Sequence, residues 1–195
     1  MLEYIKGTVS ELTPTYVVLE TGQVGYFIHI SLNTYTLLGG KEAATLYIHE
    51  AIREDAYTLY GFTDKEERQL FSLLISVSGI GPNTARMILS SFSVPELEHL
   101  IASDNVNQLK GVKGIGLKTA QRVIIDLKDK VRKNSGSLDF SVSGNKFNTN
   151  KGEALSALVM LGFNSAASAK VLDKIADEFP ELSLEKMIKE ALKRM

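Results

Sequence analysis

Hydrophobic and polar residues alternate along the first 62 positions in short runs that are rich in β-branched and aromatic side chains. Such runs are typical of β-strands, and turn residues such as Pro14 and the segment Thr21-Gly22-Gln23 separate them. Closely spaced short strands of this kind suit a small closed barrel. The predicted strands span residues 4–9, 15–19, 25–30, 45–49 and 56–60.

The hydrophobic pattern changes to a helical period near residue 63. Thr63 and Glu66 stand three positions apart and predict a capping box at the first helix, and Ser93 and Glu96 predict another. Residues 63–133 are therefore expected to form four or five short helices, of which the longest runs from about 117 to 131.

Two stretches of this helical segment are near copies of each other. One is Ser78-Gly79-Ile80-Gly81-Pro82-Asn83-Thr84-Ala85-Arg86, the other is Lys113-Gly114-Ile115-Gly116-Leu117-Lys118-Thr119-Ala120-Gln121-Arg122, and Gly79 lies 35 positions before Gly114. In each copy two glycines flank an isoleucine just before a helix begins. Glycine tolerates positive φ and leaves the backbone bare, and a helix start presents free N–H groups and the positive end of the helix dipole. The pattern predicts two phosphate-binding turns.

Three interpretations of these turns compete. A dinucleotide-binding loop needs a third glycine, a preceding buried strand and a later acidic residue, whereas each copy here follows a helix-like run. A plain turn between helices, without a ligand, explains one copy well. Two copies at a fixed spacing, each followed by Thr-Ala and a basic residue, favour a third interpretation. The motif resembles the helix-hairpin-helix, which binds the DNA backbone without reading sequence, and a tandem pair would hold both phosphate strands across a minor groove.

Charge is distributed unevenly, although the net charge of the chain is only −1. Residues 1–64 contain three basic and eight acidic residues, whereas residues 105–133 contain eight basic and two acidic ones. Lys110, Lys113, Lys118 and Arg122 lie in this basic segment, around the second copy of the motif. A solvated helix face would also explain the cluster, but neutralisation of phosphates explains its position next to the glycine turn.

Residues 134–150 are rich in serine, glycine and asparagine and have no sustained period, which predicts a flexible linker. Apolar residues then recur at helical spacing in three groups, which predict three short amphipathic helices in residues 151–195. The run Met160-Leu161-Gly162-Phe163 resembles the turn of ubiquitin-associated domains, although a glycine that merely ends a helix would give the same pattern. A small tethered module of this kind is expected to dock a partner.

The predicted fold class is therefore α+β and multidomain. It consists of an OB-type β-barrel in residues 1–63, a tandem helix-hairpin-helix domain in 64–133, the flexible linker in 134–150 and a three-helix, UBA-like domain in 151–195.

The composition disfavours several other kinds of protein. Cysteine is absent, which excludes disulfide scaffolds, thiol nucleophiles, iron–sulfur clusters and zinc knuckles. His29, His49 and His99 are scattered, which favours packing or surface roles over metal binding. No Gly-Lys-Ser/Thr phosphate loop occurs, so ATP hydrolysis by this chain is not expected. No apolar run approaches about 18 residues and no basic-then-apolar leader occurs, so neither a membrane span nor secretion is expected.

The order of barrel, tandem hairpins, linker and three-helix tail resembles the RuvA family along the whole chain. The most specific features are the two hairpins at their spacing and the run Ile52-Arg53-Glu54-Asp55-Ala56-Tyr57-Thr58-Leu59-Tyr60-Gly61-Phe62, which is similar to the acidic-pin loop of that family and the strand after it. The resemblance implies a non-catalytic subunit that binds Holliday (four-way) DNA junctions as a homotetramer or an octamer and holds them open and planar. It implies hexameric RuvB ATPase motors docked on the tail, RuvC resolvase as a further partner, no cofactor, no metal, and a bacterial cytoplasmic location at the nucleoid during repair.

The resemblance also assigns site residues. DNA contacts are expected at Gly79, Ile80, Gly81, Asn83, Thr84 and Arg86 in the first hairpin, and at Lys110, Lys113, Gly114, Ile115, Gly116, Lys118, Thr119 and Arg122 in the second. Glu54 and Asp55 form the expected acidic pin, and Arg53 beside them is expected to contact a phosphate at the junction centre. Motor docking is expected at Leu158, Met160, Leu161, Gly162 and Phe163.

One residue departs from the family pattern. The first hairpin of the family often has a lysine where this chain has Asn83, and Lys118 occupies the equivalent place in the second hairpin. We therefore expect the second hairpin to dominate DNA affinity. Without the resemblance, Glu54 and Asp55 would be interpreted as a solvated turn.

Two other classes of function stay open on the sequence. A DNA glycosylase or nuclease could use helix-hairpin-helix units and hold Mg²⁺ at Glu54 and Asp55, but no catalytic Lys/Asp pair stands beside the second hairpin and no further acidic cluster completes a two-metal site. A protein-interaction adaptor would use the hairpins only as helix turns. Binding to labelled four-way DNA separates it from the junction-binding class.

Overall fold

The N-terminal part of the chain forms a closed barrel in a computed structural model that describes residues 1–135, 146–179 and 182–195. Its strands are β1 (Tyr4–Leu12), β2 (Tyr16–Thr21), β3 (Val24–Ile30), β4 (Ala43–Ile52) and β5 (Tyr57–Phe62). They follow the order β1-β2-β3-β5-β4, and every neighbouring pair is antiparallel except β3 and β5. This agrees with the predicted OB-type barrel, and the alternation of each strand sends residues such as Val17, Leu19 and Ile28 into a fully buried interior.

A short helix, α1 (Leu32–Leu38), lies between β3 and β4 and was not expected from the sequence. Ser31 caps it, since the Ser31 hydroxyl accepts a hydrogen bond from the Thr34 backbone N–H. The helix also joins the barrel to the next part of the chain. Ser31 Oγ donates to Glu67 Oε1 at 2.6 Å and Thr34 Oγ1 donates to Glu67 Oε2 at 3.0 Å, and burial raises the pKa of the Glu67 carboxyl.

The helical segment after the barrel contains α2 (Lys65–Ile75), α3 (Pro82–Ser91), α4 (Val94–Ala102), α5 (Val106–Lys110) and α6 (Leu117–Ser135). The predicted capping box at Thr63 is wrong: the cap of α2 is Asp64, whose carboxylate accepts from the Glu67 backbone N–H at 2.7 Å. A charged acceptor one position later competes successfully with the Thr63 hydroxyl, which instead donates to Asp64. The box of Ser93 and Glu96 at the start of α4 is present.

The end of β5 belongs to the core of these helices, while the interior of the barrel forms a second core. Tyr60 and Phe62 at the end of β5 are buried together with Phe71 and the apolar faces of α3, α4 and α6. The described residues up to the end of α6 accordingly belong to one compact unit. The first hairpin is therefore held at a fixed place relative to the barrel.

The tail is a separate compact unit. It contains α7 (Lys146–Met160), α8 (Ser165–Glu178) and α9 (Leu184–Arg194), which pack on a small core of Ala154, Leu158, Leu172, Ile175, Met187 and Ala191. Three helices are as expected.

The structure places helix at both ends of the segment that the sequence predicts as a linker. α6 continues to Ser135 and α7 begins at Lys146, while residues 136–145 of the expected linker lie outside the described part. A packed helix extends into flanking residues of low propensity because adding a turn costs far less than nucleating one. Composition alone therefore overestimated the length of the connection at each end.

Candidate nucleic-acid interface

The first hairpin consists of α2, the turn at residues 78–81 and α3. Gly79 in the turn has φ +93°, a conformation that favours glycine. The Ile80 backbone N–H donates to the Val77 carbonyl at 3.0 Å, and the Ile80 side chain is buried, which anchors the turn to the core. Helix α3 then begins after Gly81, with its first regular bond from the Ala85 N–H to the Gly81 carbonyl at 2.9 Å.

The second hairpin consists of α5, the turn at residues 113–116 and α6, and it repeats this geometry. Gly114 has φ +91°, the Ile115 N–H donates to the Val112 carbonyl at 3.1 Å, and the Ile115 side chain is buried. The Ala120 N–H donates to the Gly116 carbonyl at 2.9 Å. The sequence duplication is therefore a duplication of backbone structure, as expected for a tandem pair.

The second glycine of each turn has no structural reason to be glycine. Neither Gly81 nor Gly116 has a positive φ, and a Cβ atom added at either position would meet nothing within 4 Å. No side chain caps α3 at Gly81 either. Each glycine therefore leaves free N–H groups of a helix start open to an external anion, which the helix dipole also favours.

The first turn and the start of α6 border a groove of about 680 Å³. Its lining residues come from the first turn and from the start of α6, namely Ser78, Gly79, Lys118, Thr119, Gln121, Arg122, Ile125 and Asp126. Lys118 and Arg122 are exposed, and neither makes an ion pair with a residue in the described part of the chain. Two cations without an ion-pair partner among the described residues thus face the same groove as Gly79 of the first turn.

Four members of this groove were missed by the sequence reasoning: Ser78, Gln121, Ile125 and Asp126. The last three follow Lys118 at positions close to one face of α6, so helical spacing from Lys118 could have found them. Asp126 is the acidic residue among the lining residues of this otherwise basic groove. Lys110 and Lys113 are exposed near the second turn, as expected, but do not line the groove.

The polar residues of the first hairpin have different surroundings. The Arg86 guanidinium donates to the Thr15 carbonyl at 2.9 Å, and its Nη1 lies 3.3 Å from His29 Nδ1. Burial, and secondly the Arg86 charge, lower the pKa of the His29 imidazole. Arg86 therefore fixes α3 to the barrel, whereas the sequence placed it on DNA. Asn83 is exposed, with its Oδ1 3.5 Å from the Tyr60 hydroxyl.

The acidic loop connects β4 to β5. A hydrogen bond from the Arg53 backbone N–H to the Ala56 carbonyl, at 2.8 Å, closes it. Arg53, Glu54 and Asp55 are all exposed at its tip. The described residues contain no group of three or more histidine, aspartate or glutamate side chains that could hold a metal ion.

The expected docking surface of the tail lies at the turn between α7 and α8. Gly162 has φ +96°, and the Phe163 N–H donates to the Leu158 carbonyl at 3.1 Å, which is the C-terminal glycine motif of a helix. Met160 is 89 % exposed and Leu161 60 % exposed, and Phe163 is partly exposed. Leu158, however, is fully buried, so its assignment to docking is wrong: it faces α8 and α9 and forms the core.

A barrel fused to two equivalent glycine turns, with a basic groove between the first turn and α6, defines a tandem helix-hairpin-helix protein of the DNA-binding kind. Comparison with known families gives the assignment. Residues 1–61 match the RuvA N-terminal domain, residues 71–129 match a SAM-like helix-hairpin-helix tandem, and residues 149–195 match the RuvA C-terminal domain. The chain belongs to the RuvA family.

Similar proteins cover the whole chain. A protein of Bacteroides fragilis is 54 % identical over 203 residues, and one of Bacteroides thetaiotaomicron is 52 % identical over 205, each match covering all of both chains. A protein of Christiangramia forsetii is 52 % identical over 195 residues, again over the full length of both. All three are named Holliday junction branch migration complex subunit RuvA. None of the described helices of the present chain is long and apolar enough to cross a membrane.

Proposed function

We propose that this protein binds four-way DNA junctions, without reading base sequence, as the DNA-binding subunit of a branch-migration complex. The observation that carries the proposal is the pair of glycine turns with the same backbone conformation, the first of which borders a groove together with Lys118 and Arg122 at the start of the helix that follows the second. Relatives of similar length that are named as junction branch-migration subunits support it.

The chemistry of the groove and of the two helix starts favours the DNA backbone over the bases. Free N–H groups at Gly81 and Gly116 and the cations of Lys118 and Arg122 recognise phosphate oxygens, which are the same for every sequence. Two such sites can hold the two strands that border a minor groove. A protein that binds in this way lets DNA move past it, as branch migration requires.

The proposed assembly is a homotetramer. Four identical subunits present the same surface to each of four DNA arms, which suits a closed symmetric complex. The exposed loop with Glu54 and Asp55 would then gather carboxylates at the symmetry axis, where they repel the phosphates of the crossing strands. A pair of like charges about 10 Å apart is repelled by ~0.4 kcal/mol in water and by ~1.7 kcal/mol at an effective dielectric constant of 20.

The tail is proposed to dock the RuvB motor, in which ATP hydrolysis resides. Support comes from its separate core and from the apolar surface of Met160, Leu161 and Phe163 at the turn between α7 and α8. An exposed apolar turn next to a well-formed core is suited to bind a partner. RuvC resolvase is proposed as a further partner at the junction, with this subunit itself non-catalytic.

The proposal is tested by gel shift with a labelled four-way junction and a linear duplex of the same base composition, with native mass measured alongside. We expect tighter binding of the junction, at the same affinity for junctions of unrelated sequence, and a mass of four subunits. Equal affinity for duplex and junction would contradict the proposal.

The two hairpins are expected to contribute unequally. Lys118→Ala should weaken junction binding equally for all sequences and should lower the slope of log affinity against log salt by about one, because one phosphate contact is lost. Asn83→Ala should have a smaller effect, because Asn83 offers only a neutral hydrogen bond. Binding titrations at several salt concentrations measure both. Equal losses at the two sites would show that the second hairpin does not dominate.

The acidic loop is expected to control the preference for junctions. Glu54→Gln combined with Asp55→Asn keeps size and hydrogen-bonding capacity but removes both charges, and stability should change little at an exposed loop. The double variant should bind linear duplex more tightly and lose part of its junction preference, and its gain should shrink as salt rises. Unchanged duplex affinity at low salt would mean that the two acids are only a solvated turn.

A further inference from the structure

Two large apolar side chains are exposed at the base of the acidic loop. Ile52, the last residue of β4, is 72 % exposed, and Tyr57, the first residue of β5, is 59 % exposed. They are direct cross-strand partners, so their side chains stand on the same face of the two strands. Neither belongs to a core cluster among the described residues. The fold therefore gives no packing reason for this pair.

The tyrosine ring is held in one orientation. The Tyr57 hydroxyl donates to Glu50 Oε1 at 2.6 Å, and Glu50 Oε2 accepts from the Leu2 backbone N–H at 2.7 Å. The hydrogen bond between Tyr57 and Glu50 raises the pKa of the Tyr57 hydroxyl and is the largest cause of the lowered pKa of the Glu50 carboxyl. Since Glu50 stands two residues before Ile52, the ring extends along β4 away from the loop. A ring that is already fixed loses little entropy when a flat ligand binds to it.

The charges around this pair select which part of DNA can approach it. Glu54 and Asp55 are exposed in the loop that joins Ile52 to Tyr57, and Glu50 accepts a hydrogen bond from the Tyr57 hydroxyl, so these carboxylates disfavour phosphates at the surface. The face of a nucleobase carries no charge, and aromatic side chains bind it by stacking whatever the base.

We propose that Ile52 and Tyr57 form a stacking site for one unpaired nucleobase of the junction, next to the acidic loop. The inference rests on the proposed function, because only junction binding brings DNA to this loop. Bases must separate from their partners at a moving crossover before they pair again. Stacking on Tyr57 offsets part of the cost of that separation.

The absence of tryptophan from the chain allows a direct test in the full-length protein. Tyr57→Trp introduces a single indole at the proposed site, and Tyr4→Trp introduces one at a control position on β1 that is 56 % exposed. Addition of a four-way junction should quench the fluorescence at position 57 and protect it from acrylamide. The fluorescence at position 4 should not change.

Affinity gives an independent measurement. Tyr57→Leu should weaken junction binding by about fivefold or more while leaving duplex binding unchanged, because it removes the stacking face. Tyr57→Phe keeps the ring but loses the hydrogen bond to Glu50, so it should weaken junction binding less than Tyr57→Leu does, and Tyr4→Leu should have no effect. Native mass should remain that of the wild type for every variant.

The outcomes separate this inference from the function on which it rests. A wild-type protein that does not prefer junctions would overturn the proposed function. Normal junction preference with no quenching at position 57 and full affinity of Tyr57→Leu would overturn only the stacking site. A changed subunit number in Tyr57→Leu would identify the pair as a contact between copies of the chain and would also overturn it.

Discussion

Replacement of Gly81 or Gly116 with alanine is expected to weaken junction binding roughly tenfold. When both are replaced, the loss should be about the product of the two single losses. A methyl group at either position would stand between the N–H groups of a helix start and a phosphate. Loss of one hydrogen bond to a charged group costs about 1.5–3 kcal/mol, which corresponds to tenfold or more in affinity. Gel shift with the labelled junction measures the loss.

The same substitutions should leave the fold almost unchanged. A Cβ at either position meets nothing within 4 Å, so the free energy of unfolding should change by less than about 1 kcal/mol. Gly152→Ala is the matched control, since this glycine of α7 is equally open but lies in the tail, and it should bind DNA normally. Gly79→Ala should instead destabilise the protein, because its φ is +93°. Full affinity of the Gly81 and Gly116 variants would refute backbone recognition of phosphate.

A fragment that ends at Ser135, where α6 ends, is expected to bind junctions with normal affinity and to give no motor-driven branch migration at all. The buried residues described for the barrel and for the hairpins all lie before Ser135, and those described for the tail form a cluster of their own, so the fragment should fold and assemble. The docking surface is lost with the tail. A strand-displacement gel with purified RuvB and ATP measures migration, and full stimulation by the fragment would place docking in the body.

Point substitutions in the full chain provide the control for this truncation. Met160→Ser and Leu161→Ser change exposed side chains, so these variants should stimulate motor-driven migration less than the wild type does, without unfolding of the tail. Leu158→Ser should unfold the tail, because this residue is fully buried in its core. Loss of migration in the exposed variants, with a normal melting curve, would assign the defect to docking.

The sequence predicted the barrel well because strand alternation and turn residues are local signals. It did not predict α1, a helix of seven residues whose cap, Ser31, is tied to Glu67 across 36 positions. It also misplaced the cap of α2 by one residue, since Thr63 and Asp64 are both residue types that cap helices well and the sequence does not distinguish them. Short helices and their ends depend on such distant contacts.

The functional residues likewise divide into those that local sequence predicts and those that distant contacts decide. The duplicated motif determined both turns, because the positive φ of Gly79 and Gly114 follows from residues within a few positions, whereas the burial of Ile80 and Ile115, which the sequence placed on DNA, depends on the core. The groove between the first turn and α6, to which Asp126 contributes, could not be predicted from the motif. It arises where the first turn and α6 approach each other in space.

By itself, the sequence determined the order of barrel, hairpins and tail, the two glycine turns, the loop with Glu54 and Asp55, and the family. Only the tertiary structure decided which side chains are available. Arg86 follows a glycine turn as a DNA-binding residue would, yet it is held by the carbonyl of Thr15, 71 positions away. Leu158 lies in the same apolar stretch as the exposed Met160 and Leu161 and is nevertheless buried. Backbone conformation is set by adjacent residues, whereas the surroundings of a side chain are set by whatever the fold brings against it.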